Sequence, residues 1–206
     1  MAKFGVFCGT FNPIHWGHLF MAECAREQAG LDKIMFITSP NPPHRKDDLL
    51  EAEHRHELVI AALADNPVFE ASTLELVRTV GGAPSYTVDT LLELKALLTP
   101  EFGDSLELSL IIGQDNLNYI GQWHRADDIF RLAQLVVAPR VKQPAHAGAP
   151  TVEKLPPPEA RVLMLDLPLI PVSSSEIRNR LRAGRSVLYM VPTEVAKILR
   201  DKRYYL

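Results

Sequence analysis

A chain of 206 residues, 47% of them hydrophobic and 23% charged, has ordinary globular composition and length enough for one sizeable core. Its formal net charge of −3 lends no support to a nucleic-acid partner, whose binders usually carry a basic patch. No apolar run approaches the ~20 residues of a membrane span, and Met1 to Cys8 is too short for the apolar region of a signal peptide, so a soluble, cytoplasmic protein without a membrane partner is expected.

In chain order, Phe4 to Cys8 reads as a buried strand. Trp16 to Ala29 reads as a helix stopped by Gly30, and Lys33 to Thr38 as a second strand running into a Pro-rich loop from Ser39 to Lys46. Glu51 to Ala64 is helical, with Leu58, Val59, Ala62 and Leu63 on one face. Phe69 to Val77 alternates weakly, as a third strand would. Tyr86 to Leu98 is a helix that Ser85 is placed to cap. Leu106 to Ile112 and Gln134 to Ala138 are two further apolar runs. Residues 141 to 159 turn to Pro, Ala and Lys, a loop. Arg161 to Leu167 then reads as a last strand, and Ser173 to Arg182 and Pro192 to Arg200 as two closing helices.

Strands alternating with helices predict an α/β fold, a Rossmann-like parallel sheet with helices on both faces. The segment beyond the Pro-rich stretch is too short for its own core. Residues 1–206 therefore read as a single domain, with 173–206 a C-terminal helical subregion. Cys8 and Cys24 are too few for a disulfide framework and too widely spaced for a metal site, and read as buried free thiols.

Chemistry concentrates where the first strand gives way to the first helix, at Gly9-Thr10-Phe11-Asn12-Pro13-Ile14-His15-Trp16-Gly17-His18. A glycine lets the backbone turn and approach a ligand closely. The next helix aims unpaired N–H groups and its positive dipole end at the turn, an anion site in itself. His15 and His18 are three apart and share a helical face, from which two imidazoles can donate to phosphate oxygens. The same pair is also the spacing of a metal half-site, but no third ligand stands at suitable spacing.

This segment closely resembles the opening motif of the HxGH nucleotidyltransferase superfamily. The resemblance implies that His15 and His18 contact nucleotide phosphates during attack on the α-phosphate of ATP. It also sets Gly9, Thr10, Phe11 and Gly113 along ATP, and Thr10 and Asn12 beside the acceptor. A second element, Pro171 to Arg178, resembles the superfamily's Ser-Ser/Thr-x-x-Arg motif, and implies that Ser173, Ser174, Ser175 and Arg178 hold the ATP polyphosphate. On the residues alone, the serines suit a helix cap, and Arg178 can fork onto phosphate.

The middle of the chain bears on the acceptor. Pro42-Pro43-His44-Arg45, Ser85-Tyr86-Thr87-Val88-Asp89-Thr90, and Ile112-Gly113-Gln114-Asp115 followed by Trp123 resemble the bacterial nicotinate mononucleotide adenylyltransferases. A flat pyridinium ring wants an aromatic face, which Trp123 can supply. Its carboxylate wants donors, by resemblance the Thr87 hydroxyl and backbone N–H groups near Thr87 and His124. His44, Arg45 and Arg140 are the candidates for the mononucleotide's 5′-phosphate. Asp115, at a strand's carboxyl end, is placed to meet a ribose hydroxyl.

The implied partners are ATP and nicotinate mononucleotide, with Mg²⁺ bound through ATP phosphates. The implied products are nicotinate adenine dinucleotide and pyrophosphate, a step of NAD biosynthesis. Nicotinamide mononucleotide and phosphopantetheine are the alternative acceptors, though the latter gives no reason for Ser85 to Thr87 or Trp123. A non-catalytic nucleotide-binding module is the alternative from another class, against which His15, His18 and Arg178 count. Neither a monomer nor a homo-oligomer is indicated.

Three residues depart from the family pattern. Cys8 stands where a first glycine is usual, Asn12 where bacterial members usually carry Asp, and His124 where Tyr is common. The first two should leave the reaction type unchanged. The third is tolerated if only its backbone N–H is used, and shifts the preference between acid and amide if its side chain is used.

Overall fold

The computed structural model describes residues 1–41, 48–78, 84–139, 154–168 and 170–206. Six strands form a sheet: β1 (Ala2–Gly9), β2 (Lys33–Thr38), β3 (Phe69–Ser72), β4 (Leu106–Gly113), β5 (Ala133–Ala138) and β6 (Val162–Met164). Their order is β3-β2-β1-β4-β5-β6. The pairs β1–β4, β4–β5 and β5–β6 are parallel, with Val6 opposite Leu110, Gly113 opposite Ala138, and Val137 opposite Met164. This is the order of doubly wound α/β sheets, in which ligands meet the carboxyl ends of strands where the winding reverses. The segment leaving the carboxyl end of β1 is the turn from Gly9 to His18. The expected α/β class holds.

Eight helices are described: α1 (Trp16–Ala29), α2 (Ala52–Leu63), α3 (Leu74–Arg78), α4 (Thr87–Phe102), α5 (Gln114–Leu117), α6 (Ala126–Leu132), α7 (Ser174–Arg182) and α8 (Thr193–Asp201). Among the described residues, no helix is long and apolar enough to cross a membrane.

The chain divides into two compact units. The first comprises Met1–Phe7, Met21–Ile34 and Tyr86–Leu169. Its core is the apolar run of β4 and β5, where Leu110, Ile111, Leu135, Val136 and Val137 are essentially inaccessible, against Leu91 and Leu94 of α4 and Ile129 of α6. Continuous apolar strands of this kind are what burial on both faces demands. The second comprises Cys8–Phe20, Met35–Ser85 and Ile170–Leu206. Phe36 of β2 is its centre, with Phe11 at 5.8 Å and Phe69 at 5.3 Å between ring centroids. Leu58, Val59 and Leu63 of α2 and Val195 and Leu199 of α8 are buried in this unit.

Several elements differ from expectation for local reasons. The third strand ends at Ser72, whose Oγ accepts from the Leu74 N–H at 3.3 Å and turns the chain into α3. Ser85 does not cap α4. Its Oγ instead accepts from Arg78 Nη2 at 2.8 Å, and the helix starts after an extended Tyr86 with no side-chain cap. That helix runs on to Phe102, past Leu98. The last strand is only Val162–Met164, an edge element whose Val162 and Met164 are exposed. Of the stretch from 141 to 159, residues 141–153 lie outside the described residues, and Lys154 is pinned to Asn118 and Gly121 by backbone bonds of 2.9 and 3.0 Å. Cys8 and Cys24 are free, each only partly buried.

Candidate active site

The turn after β1 is shaped by the ring of Phe11. A Cβ at position 9 would lie 2.7 Å from that ring, so only glycine lets Phe11 fold back over the strand end. Phe11 itself has φ of 45° and is 2% exposed, a left-handed conformation held by packing. Its ring stands edge-on to His18, with centroids 5.2 Å apart. At the strand end, burial first and Glu75 second push the Cys8 thiol well up, so it stays protonated and neutral.

The two histidines are locked together by the helix start. The His15 carbonyl accepts from the His18 and Leu19 N–H groups, making His15 the N-cap residue of α1. Its own N–H donates to His18 Nδ1 at 3.3 Å, the reach-back of a capping box with imidazole in place of carboxylate. With Nδ1 accepting, the proton of neutral His18 sits on Nε2, which becomes the ring's donor. The rings stack at 3.7 Å with an interplanar angle of 21°. A Cβ on Gly17 would press on the His15 ring at 3.0 Å, so Gly17 lets this imidazole lie flat over the helix start. His15 is 6% exposed and His18 is half-buried.

The second motif meets this turn directly. Ser173 is the N-cap of α7, its Oγ accepting from the Glu176 N–H at 3.2 Å. The Ser174 hydroxyl donates to the Pro13 carbonyl at 2.9 Å. Arg178 donates from Nη1 to the Asn12 carbonyl at 2.8 Å and from Nε to Asp48 Oδ2 at 2.8 Å. Arg182, one turn on, bonds the other oxygen, Asp48 Oδ1. Ser175 is exposed at the helix start. Fixed donors therefore gather from both motifs: first-turn N–H groups, imidazole and guanidinium.

Asn12 is 3% exposed, and its side chain is engaged with protein. Its Nδ2 donates to the Asp48 carbonyl at 2.8 Å, and its Oδ1 accepts from the Leu50 N–H at 3.2 Å and from the Tyr205 hydroxyl at 2.6 Å. Arg55 of α2 is wholly buried, and burial brings its pKa down to about 10. It donates to four backbone carbonyls: Leu50 at 2.7 Å, Thr10 at 2.6 Å, Ser39 at 2.8 Å and Pro40 at 3.0 Å. The bond to Thr10 fixes the turn from behind.

The residues read for the pyridine ring and ribose lie in the first unit. Thr87 opens α4, where N–H groups lack intrahelical acceptors. Trp123 follows a short 3-10 turn, Ile120–Gln122, and its carbonyl accepts from the Ala126 N–H at 3.2 Å, leading into α6. Its ring is partly exposed. His124 is exposed, and its ring lies 4.3 Å from that of Tyr86 at 31°. Gly113 ends β4 facing open space, and exposed Asp115 lies in the first turn of α5. His44, Arg45 and Arg140 lie outside the described residues.

Sequence reading missed Arg55, Asp48, Arg182's ion pair with Asp48 and Tyr205. A signal existed only for Arg55, which falls one turn before Leu58 and Val59 on the apolar face of α2, where a charge needs a partner.

The cytidylyltransferase-like family model matches residues 6–180. A protein of Dehalococcoides mccartyi named a probable nicotinate-nucleotide adenylyltransferase is 39% identical over 204 residues, covering 98% of this chain and 97% of its own. One of Bacillus pumilus with the same name is 37% identical over 206 residues, covering 100% and 99%. Among solved structures, the Plasmodium falciparum nicotinic acid mononucleotide adenylyltransferase complexed with NaAD superposes with a TM-score of 0.74 at 15% identity, over 100% of this chain and 98% of that one.

Proposed function

The chain belongs to the cytidylyltransferase-like family and, by its full-length relatives, to the nicotinate-nucleotide adenylyltransferases; from that premise we propose that it transfers the adenylyl group of ATP to nicotinate mononucleotide. The products are nicotinate adenine dinucleotide and pyrophosphate. The observation that carries this reading is the bonding of Ser174 and Arg178 to the carbonyls of Pro13 and Asn12. The start of α7, far off in sequence, is thereby fastened to the turn that opens α1.

In the proposed reaction, an oxygen of the mononucleotide's 5′-phosphate attacks the α-phosphorus of ATP in line. The bond from that phosphorus to the bridging oxygen breaks, and pyrophosphate leaves with the electron pair. The nucleophile is already anionic, so no general base is needed. The chain's part is positioning and charge stabilisation. His18 donates from Nε2 to the oxygens of the α-phosphate as charge builds, while His15, Ser174, Ser175 and Arg178 hold the phosphates. Thr87, Trp123 and His124 recognise the nicotinate ring, and Asp115 a ribose hydroxyl.

Mg²⁺ enters this reading on the ATP phosphates. Imidazole, guanidinium, hydroxyl and N–H groups suit phosphate oxygens, and among the described residues no group of three His, Cys, Asp or Glu is clustered for a metal. That donor set fits an ion carried by phosphate oxygens and water better than one caged by protein. Carried there, it would supply positive charge against the negative charge of the leaving group. The proposed setting is a soluble, cytoplasmic step of NAD biosynthesis.

The test is pyrophosphate release with ATP and each mononucleotide in turn. A site built for a carboxylate leaves donors unpaired opposite an amide, so kcat/KM for the nicotinate form should exceed that for the nicotinamide form by about 10²-fold or more. Equal rates would defeat the acceptor assignment, and no release with either would defeat adenylyl transfer.

A further inference from the structure

We propose that Asp48 is an affinity-setting residue, an internal carboxylate that competes with the substrate's polyphosphate for Arg178 and Arg182. The inference rests on the reading of Arg178 as a phosphate ligand and adds what holds that arginine beforehand. Both carboxylate oxygens are engaged, Oδ2 by Arg178 Nε at 2.8 Å and Oδ1 by Arg182 Nη2. Two arginines one turn apart on α7 thus grip two oxygens of one anion, the pattern by which guanidinium groups grip phosphate.

The carboxylate is also held from its backbone. The Asp48 carbonyl accepts from Asn12 Nδ2 at 2.8 Å, so the nucleotide turn itself anchors the residue. Asp48 adopts φ of 63°, the left-handed region that Asp and Asn tolerate better than other side-chain-bearing residues. The two guanidinium groups hold its carboxyl below the usual carboxylate range. At neutral pH it is an anion on Arg178, the cation that the second motif offers to ATP, and on Arg182 one turn beyond.

A polyphosphate must exchange with this carboxylate. Its apparent affinity falls by the fraction of time the arginines are occupied. The same competition acts on the leaving pyrophosphate and speeds its departure. Binding that grips substrate and product equally does nothing for the chemical step, so weakening it is no handicap. The side chain of Asp48 is 38% exposed and that of Arg182 42%, so solvent screens the pair and the effect is moderate.

The experiment measures inorganic pyrophosphate binding by calorimetry for the wild type, Asp48→Asn and Asp48→Gly. Both replacements suit a positive φ and remove the charge. Each should bind pyrophosphate about threefold to tenfold more tightly than the wild type. Adding Asp48→Asn to a background of Arg178→Gln and Arg182→Gln should give no gain. Equal or weaker binding by both variants overturns the proposal, as does loss of folding in both, which would make Asp48 a brace. A wild type that turns over while neither variant binds more tightly defeats Asp48's role alone. A wild type without turnover defeats the adenylyl-transfer reading, and the binding comparison still decides the competition.

Discussion

The unit that carries the phosphate motifs and the unit that carries Thr87, Trp123 and His124 are built on different plans. In the former, polar side chains are tied to backbone. Asn12 bonds to the Asp48 carbonyl and the Leu50 N–H, Ser174 to the Pro13 carbonyl, and Arg178 to the Asn12 carbonyl. In the latter, Trp123 is partly exposed and His124 is exposed, with a ring contact to Tyr86. The difference matches the tasks proposed for each. Stabilising charge on a phosphorus demands donors fixed before the reaction. Recognising a flat ring demands a face, which a single aromatic side chain on a short loop supplies.

The largest expected effect breaks the braced side of that contrast. Arg55→Met keeps the bulk of the stem but removes the donors to Leu50, Thr10, Ser39 and Pro40. Stranding those carbonyls should destabilise the chain by about 3–5 kcal/mol, after allowing for relief from burying a charge. Urea unfolding should show the loss as a lower midpoint at unchanged slope. An unfolding free energy within about 1 kcal/mol of the wild type would mean the turn is held by other contacts and the contrast between the units is not one of bracing.

The contrast also governs what could be read without a structure. The helix Trp16–Ala29 and the strand Lys33–Thr38 have the bounds expected of them, because their signals are local: an apolar run, a turn and a glycine stop. Phe69 to Val77 does hold the third strand, but only as far as Ser72; Leu74 and Val77 keep a helix's spacing, and the Ser72 hydroxyl accepts from the Leu74 N–H where one element gives way to the other. The motif histidines were legible as residues, but the capping bond that orients His18 was not. The supports of the turn were hidden for another reason. Arg55 reaches Thr10 and Ser39, and Tyr205 reaches Asn12 from the far end of the chain. No spacing rule encodes bonds between groups so distant in sequence.

A sharper effect, though smaller in free energy, is expected at His18. His18→Ala removes the Nε2 donor and, through Nδ1, the acceptor for the His15 N–H. Losing one donor aimed at a developing charge should lower kcat by about 10²- to 10³-fold, or ~2.7–4 kcal/mol, with little change in KM for ATP. His18→Asn offers an instructive comparison. The asparagine Oδ1 stands as many bonds from the backbone as Nδ1 and can accept from the His15 N–H, while nothing takes the place of Nε2, so it should keep the melting temperature of the wild type and still lose most of kcat. A normal kcat in either variant would remove His18 from the transition state.

The smallest effect probes the lightly anchored side. Trp123 is tied through backbone bonds to Ile120 and Ala126, and these survive replacement of the side chain. Trp123→Ala should therefore leave urea stability close to the wild type while removing the aromatic face proposed for the pyridinium ring. Aromatic stacking of this kind contributes about 0.5–1.5 kcal/mol beyond area burial, so KM for nicotinate mononucleotide should rise by about threefold to tenfold. KM for ATP should hold steady, because the phosphate donors belong to the other unit. Trp123→Phe should recover most of the loss, since a smaller ring still presents a face. If stability falls together with both KM values, Trp123 is a packing anchor, and the acceptor's ring must be recognised from Thr87 and the start of α4 instead.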